Sequence, residues 1–276
     1  MPWMIPSHQA AVLPLKQWRP AWFSGLALVL GSVAPDLVFI FRLDETGSPV
    51  SHTFAGQLLI TMPLVVLLHA LVTALVLPWL LPRVPGGPPL HLHALARCRP
   101  ATGPLALARV AVSGLVGGLS HVAIDGFTHG DHSGWALPLF PALATPLPLP
   151  FAPAPLYDVL QVTLTVVLGL LAVRAWDGMA RRLPQPGPGA MPRWQVTGAG
   201  RQESLSAASG LALAAVTGAL LAAVLKSSVA PADLPKLAVY GAITGGCAGA
   251  VLLAGADRLR GVLQRIRFEV DAALEV

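Results

Sequence analysis

Charge is what this sequence lacks most. Asp, Glu, Lys and Arg make up 11% of its 276 residues, against about 25% in an ordinary soluble domain. With 54% hydrophobic residues and a mean hydropathy of +0.67, the shortage excludes a water-soluble globular protein and points to a membrane protein. Cysteine is nearly absent as well: Cys98 falls in a segment expected to be cytoplasmic and Cys247 within an apolar run, so no disulfide is expected. The start lacks the basic, apolar and small-residue succession of a cleaved secretory signal, and the amphipathic stretch to Arg19 reads as part of the mature protein. No internal repeat is evident.

Long apolar stretches are what the chain has instead. Six approach the roughly 20 residues that cross a bilayer as helix, near 21–43, 54–82, 106–125, 157–175, 205–225 and 235–256, the first two interrupted by proline. The expected fold is therefore all-α, a multi-pass transmembrane helical bundle of about six spans with a short re-entrant or interfacial N-terminal helix. Most of the arginines lie between the second and third spans, between the fourth and fifth, or after the last, whereas segments 44–53, 126–156 and 226–234 carry only Lys226 as a basic residue. By the positive-inside rule the arginine-rich loops and the C-terminus are cytoplasmic. The net charge of +5 thus follows membrane topology and calls for no nucleic-acid partner.

Three regions are expected: a transmembrane core over 1–175, a cytoplasmic linker over 176–204, and two packing helices with a basic surface helix over 205–276. Gly241, Gly245 and Gly249 recur every four residues in the last span, a spacing that lets another helix approach closely and offers a route to oligomerisation. Asp257 to Val276 alternates basic and apolar residues, as in a short helix lying on the inner leaflet. The proline-rich but apolar segment from Gly126 to Pro155, with Trp135, Phe140 and Phe151, suits a stiff cover at the outer interface.

The few ionisable residues in apolar surroundings are the candidate site. Ser120-His121-Val122-Ala123-Ile124-Asp125-Gly126-Phe127-Thr128-His129 places His121 and Asp125 one helical turn apart on a stripe with Gly117, and His129 continues it. Alone, such a pair is an ordinary interhelical hydrogen bond. Asp36, after Pro35 at a helix end or kink, and His52, at the start of the second span, fall at the outer ends of different helices beside it. Polar groups at one membrane depth are costly unless they serve together, and this set suits a metal. His8 joins it only if residues 7–18 form a half-crossing segment, since eight residues rise about 12 Å. His132, Tyr157 and Gln161 stand on the same outer side as candidate substrate contacts. His69, in mid-span, reads as a packed, hydrogen-bonded histidine, and His91 and His93 as residues of a solvated loop.

These motifs, with the opening Pro-Ser-His8-Gln-Ala-Ala-Val-Leu-Pro-Leu, Gly31-Ser-Val-Ala-Pro-Asp36, Ser-His52-Thr and Tyr157-Asp-Val-Leu-Gln161, resemble a bacterial family of multi-pass membrane proteins defined by a domain of unknown function (DUF4184). That family is in turn remotely similar to the membrane-bound metal-dependent hydrolases, which share the early His, the Pro-Asp, the Ser-His or Thr-His-Ser, and the His-x-x-x-Asp. The resemblance covers roughly the first 165 residues; after Gln161 the chain departs from it, reading Val162-Thr163-Leu164-Thr165. The arginine topology puts the expected site at the outer face of the bacterial cytoplasmic membrane, and convergence would make His8, Asp36, His52, His121 and Asp125 ligands of one or two divalent ions, zinc foremost. Asp125 and His129 are then the catalytic pair, and the substrate is an amphiphilic lipid or lipid-linked (phospho)ester among membrane lipids. The alternative is a non-enzymatic membrane protein, a transporter or scaffold, that uses the same cluster to bind an ion or proton.

Overall fold

The computed structural model describes residues 5–41, 50–83, 91–130, 133–150, 153–183, 208–219 and 234–274. They are mostly helical. Helix α1 is Ile5–Trp18, α2 is Gly25–Gly31, α3 is Ala34–Phe41, α4 is the helical stretch Phe54–Leu80, α5 is Pro104–Thr128, α6 is Leu156–Arg182, α7 is Ala208–Ala219 and α8 is Leu234–Leu274. The one sheet among the described residues is a short antiparallel ribbon, β1 (Pro146–Leu147) with β2 (Ala154–Pro155). Three helices are long and apolar enough to cross a membrane: α4, α5 and α6.

Local sequence explains where these helices begin and bend. Ser24 caps α2 by accepting from the Ala27 amide at 3.3 Å, and Thr53 caps α4 by accepting from Gly56 at 3.0 Å. Two turns of α4, Gln57–Thr61 and Val72–Val76, are widened to π geometry. Each lies just before a proline, Pro63 or Pro78, whose ring clashes with the carbonyl four residues back in a regular helix; the wider turn relieves that clash. The first expected span is divided at Ser32-Val33, between α2 and α3. Pro35 does not end a helix there. It sits in the first turn of α3, where its missing N–H costs nothing, and Asp36 follows it in that turn.

The chain forms two compact units, one of residues 1–70 and 100–183, the other of 71–99 and 184–276. In the first, α1 packs chiefly against α6, and α2 against α5. The α2–α5 contact is backbone on backbone: a Cβ on Gly31 would collide with the Gly114 carbonyl, and one on Gly117 with the Leu28 carbonyl. Ala27, Ala34, Val65 and Val110 fill the apolar core beside it. The segment after α5 folds back onto that helix's C-terminal end. Trp135 donates from Nε1 to the Val122 carbonyl (2.9 Å), its ring covers Gly126, and Phe127 packs edge-on against it at 5.5 Å.

In the second unit, α8 runs unbroken for 41 residues. The expected surface helix after 235–256 is therefore the continuation of the same helix, since no proline follows Pro235 in it to end the helix. Gly245 and Gly249 of α8 lie against Ala214 of α7, so at least these two small residues serve a contact within the chain. His91 is buried, with the left-handed φ of 47°, and not in solvent as the proline-, glycine- and arginine-rich composition around it suggested. Helix α6 extends to Arg182, past the expected edge of the core at 175; residues 184–204 of the expected linker lie outside the described residues, as do 220–225 of the fifth span.

Candidate metal centre

Asp36, His52, His121 and Asp125 converge. All four are buried, and one ligand atom from each lies within 4.8 Å of the other three. They come from the first turn of α3, the 3-10 turn Val50–His52, and the C-terminal end of α5, so the site closes only when the three segments pack. The glycine contacts of α2 and α5 make that packing close enough. They bring the Ser32 carbonyl, at the α2–α3 break, to 2.9 Å from His121 Nδ1.

This contact fixes the chemistry of His121. A carbonyl can only accept, so Nδ1 carries the proton and Nε2 presents its lone pair. His52 is set the same way through a relay. Ser51 Oγ donates to the Pro35 carbonyl at 3.1 Å and therefore accepts from His52 Nδ1, 3.2 Å away. The Ser51 backbone is in turn held by Gln57, which donates its side-chain amide to the Ser51 carbonyl at 2.5 Å and lies with its own Oε1 against Gly118 of α5. Oriented imidazoles of this kind, each with its second nitrogen tied to a carbonyl or hydroxyl, are typical of metal-binding histidines.

The facing atoms are then two nitrogen lone pairs and two carboxylates. His121 Nε2 stands 3.0 Å from Asp125 Oδ2, 3.4 Å from Asp36 Oδ1 and 3.3 Å from His52 Nε2. His52 Nε2 stands 3.4 Å from Asp125 Oδ2 and 3.8 Å from Asp36 Oδ1. Ligands about 2.1 Å from a tetrahedral ion lie about 3.4 Å apart, so these spacings are compatible with one bound ion. A single divalent cation would neutralise both carboxylates and accept both nitrogen lone pairs at once. Asp36 Oδ1 has no hydrogen-bond partner although it is buried, which is costly unless a cation meets it. The group can hold a metal ion.

Two further histidines flank the opposite oxygen of Asp125. His8 Nε2 lies 3.5 Å from Oδ1 and its ring stacks on His121 with centroids 4.1 Å apart; α1 does carry it to the site. His8 differs from His52 and His121 in that its Nδ1 has no hydrogen-bond partner. It stands beside the group of four and not within it. His129 Nδ1 lies 3.6 Å from Asp125 Oδ1 and 3.2 Å from Thr128 Oγ1, which itself donates to the Ile124 carbonyl. Tyr157 lies against Gly130, just after His129, and Gln161 is buried one turn further along α6 with its amide nitrogen unpartnered. His132 lies outside the described residues. His69 is a packed histidine, 3.4 Å from Ser24 Oγ.

The supporting residues escaped the sequence. Ser32 acts through its backbone, which leaves no signature in residue type. Gln57 and Gly118 act through a contact between distant segments. Ser51 was visible only as a neighbour of His52, and Gly31, Gly114 and Gly117 were the legible hint that two backbones meet here.

No curated protein and no solved structure matches the chain. A family match does, and it runs from residue 1 to residue 255, well beyond the first 165 residues that carry the motifs and through α7 into α8. A chain matched over that length, with its buried Asp and His group drawn from segments throughout the first unit, belongs to the family described as Domain of unknown function (DUF4184).

Proposed function

We propose that the protein is a membrane-embedded, zinc-dependent hydrolase of a lipid or lipid-linked (phospho)ester, with its site opening to the outer face of the bacterial cytoplasmic membrane and its C-terminus in the cytoplasm. One observation carries the reading: two imidazoles oriented with Nε2 lone pairs inward converge with two carboxylates in one buried group. Imidazole with carboxylate is a donor set suited to zinc. The motifs of the sequence resemble those of the membrane-bound metal-dependent hydrolases, an analogy that supports the same chemistry.

A divalent ion held by Asp36, His52, His121 and Asp125 would polarise a phosphoryl or acyl oxygen and lower the pKa of water toward neutrality. The chain's own residues supply the rest. Asp125 turns Oδ2 to the cluster and Oδ1 to His8 and His129, so it links the metal position to two imidazoles that can hold a proton. His129, at the helix end, is placed to pass a proton to a leaving oxygen. The unpartnered Gln161 amide is available to a substrate oxygen, with Tyr157 beside the chain segment that follows His129. The apolar exposed faces of α5 and α6, including Val112, Val162, Val166 and Leu170, suit a substrate that arrives within the bilayer.

The test is a screen of the detergent-purified protein against phosphodiester, phosphomonoester and acyl-ester lipids, before and after chelation. Hydrolysis of one class that chelation abolishes, zinc restores and His129→Ala reduces by about a hundredfold or more is the expected result. No turnover of any class by a protein carrying stoichiometric zinc would favour ion binding without catalysis.

A further inference from the structure

The C-terminal end of α1 carries a second feature, remote from the metal centre. Trp18, Arg19 and Trp22 are all exposed, the two tryptophans at 68% and 71%. The Arg19 guanidinium lies over both rings, 4.5 Å from the Trp18 centroid and 5.9 Å from that of Trp22. Chain geometry builds the arrangement. Lys16 Nζ donates to the carbonyls of Pro20 (2.6 Å) and Phe23 (2.8 Å), and the Trp22 amide donates to Arg19 (3.0 Å), so residues 19–23 fold into a tight turn. Gln17 ties the turn to α6 by donating to the Ala175 carbonyl at 3.3 Å. Exposed Arg174 and half-buried Trp176 flank that carbonyl in sequence, and the acidic Asp177 nearby is engaged by Arg181 at 2.8 Å.

We infer that Trp18, Arg19 and Trp22 form a clasp for the phosphate of an anionic phospholipid headgroup at the membrane interface, and that α1 is thereby a half-crossing helix. Tryptophan prefers the headgroup level, where an apolar ring and a polar N–H are both accommodated. Arginine stacked on aromatic faces keeps its planar fork of donors in one orientation, which matches phosphate. Charge complementarity selects an anionic lipid over a zwitterionic one. A consequence follows for depth. His8 precedes Trp18 by ten residues of the same helix, about 15 Å of axial rise, which is half of a hydrocarbon layer about 30 Å thick. The metal centre beside His8 is then inside the hydrocarbon layer, well away from the clasp's interface.

This inference goes beyond the hydrolytic reading and stands without it. Its test uses the full chain, metal-loaded, in liposomes, with bromine-labelled lipid as the quencher. The fluorescence difference between the protein and its Trp18→Phe/Trp22→Phe variant isolates the two clasp tryptophans. That difference should be quenched more by phosphatidylglycerol brominated near the carbonyl end of its chains than by the same lipid brominated near the methyl end. Brominated phosphatidylglycerol in plain phosphatidylcholine should also quench at about fivefold lower mole fraction than the reverse mixture, and Arg19→Gln should remove that preference while leaving metal content unchanged. Quenching strongest from the methyl end, no quenching at all, or a preference for phosphatidylglycerol that survives Arg19→Gln would overturn the clasp. Hydrolysis and metal content are read in parallel, so failure of the catalytic reading is seen separately.

Discussion

The two compact units treat charge in opposite ways. In the first, Asp36 and Asp125 are buried, and their ion-pair partners among the described residues are histidines. In the second, Asp257 stays partly exposed and meets Arg83 at 2.8 Å, while it also accepts from Trp79 Nε1 at 2.9 Å; the interior beneath is apolar, built on Trp79 and Ala254 with Leu211 and Leu253. An aspartate paired with a permanent cation at the edge of a fold needs nothing more. Buried carboxylates facing imidazole lone pairs can hold a cation from outside. Both units use glycine to bring backbones together, Gly31 and Gly117 in one and Gly245 in the other, so close packing alone does not make a site. What differs is the polar content that the packing encloses.

The comparison is broken most forcefully at those glycines. Gly117→Val places a side chain into the Leu28 carbonyl, and Gly245→Val one into the Ala214 carbonyl; each should cost about 3 kcal/mol or more, because backbone cannot yield as a side chain does. Thermal unfolding in detergent should show both losses. Only Gly117→Val should also release the metal, and metal release by Gly245→Val would mean that the units are not independent in this respect.

A subtler change sharpens it. Ser51→Ala removes the acceptor that orients His52 Nδ1 and leaves every facing atom in place. Metal affinity measured by competition with a chromogenic chelator should fall about 10–100-fold, with Ser51→Thr retaining most of it. An unchanged affinity would show that the relay does not act on the site. The smallest effect belongs to the second unit. Asp257→Ala deletes the Arg83 pair and the Trp79 hydrogen bond, and with both charged groups in contact with solvent the loss should be about 1 kcal/mol. Its metal content should equal that of the unaltered chain.

Much of this contrast was legible in the sequence. The His121 and Asp125 stripe, with Asp36 and His52 at other helix ends, is a pattern of residue types that an apolar chain retains only where they meet. His8 was legible only conditionally, and the half-length of α1 supplies the condition. The spans at α4, α5 and α6 follow from runs of apolar residues and agree within a few residues except at the end of α6. The tautomer-setting partners were not legible, since a backbone carbonyl at Ser32 has no residue signature. Neither was the break at Ser32-Val33, because Pro35 reads equally as the end of one helix or the first turn of the next. The unbroken α8 was missed for a related reason: its composition turns basic at Asp257, but composition changes do not end helices.

The central claim is that the buried group of four holds a metal ion. The most direct measurement is the metal content, by elemental mass spectrometry, of the protein purified in detergent beside a His121→Ala/Asp125→Ala variant, with the helicity of both recorded by circular dichroism. The account predicts stoichiometric zinc in the protein and background levels in a variant that keeps its helical signal. Background metal in both folded proteins, from cells grown with ample zinc, manganese and iron, would contradict it.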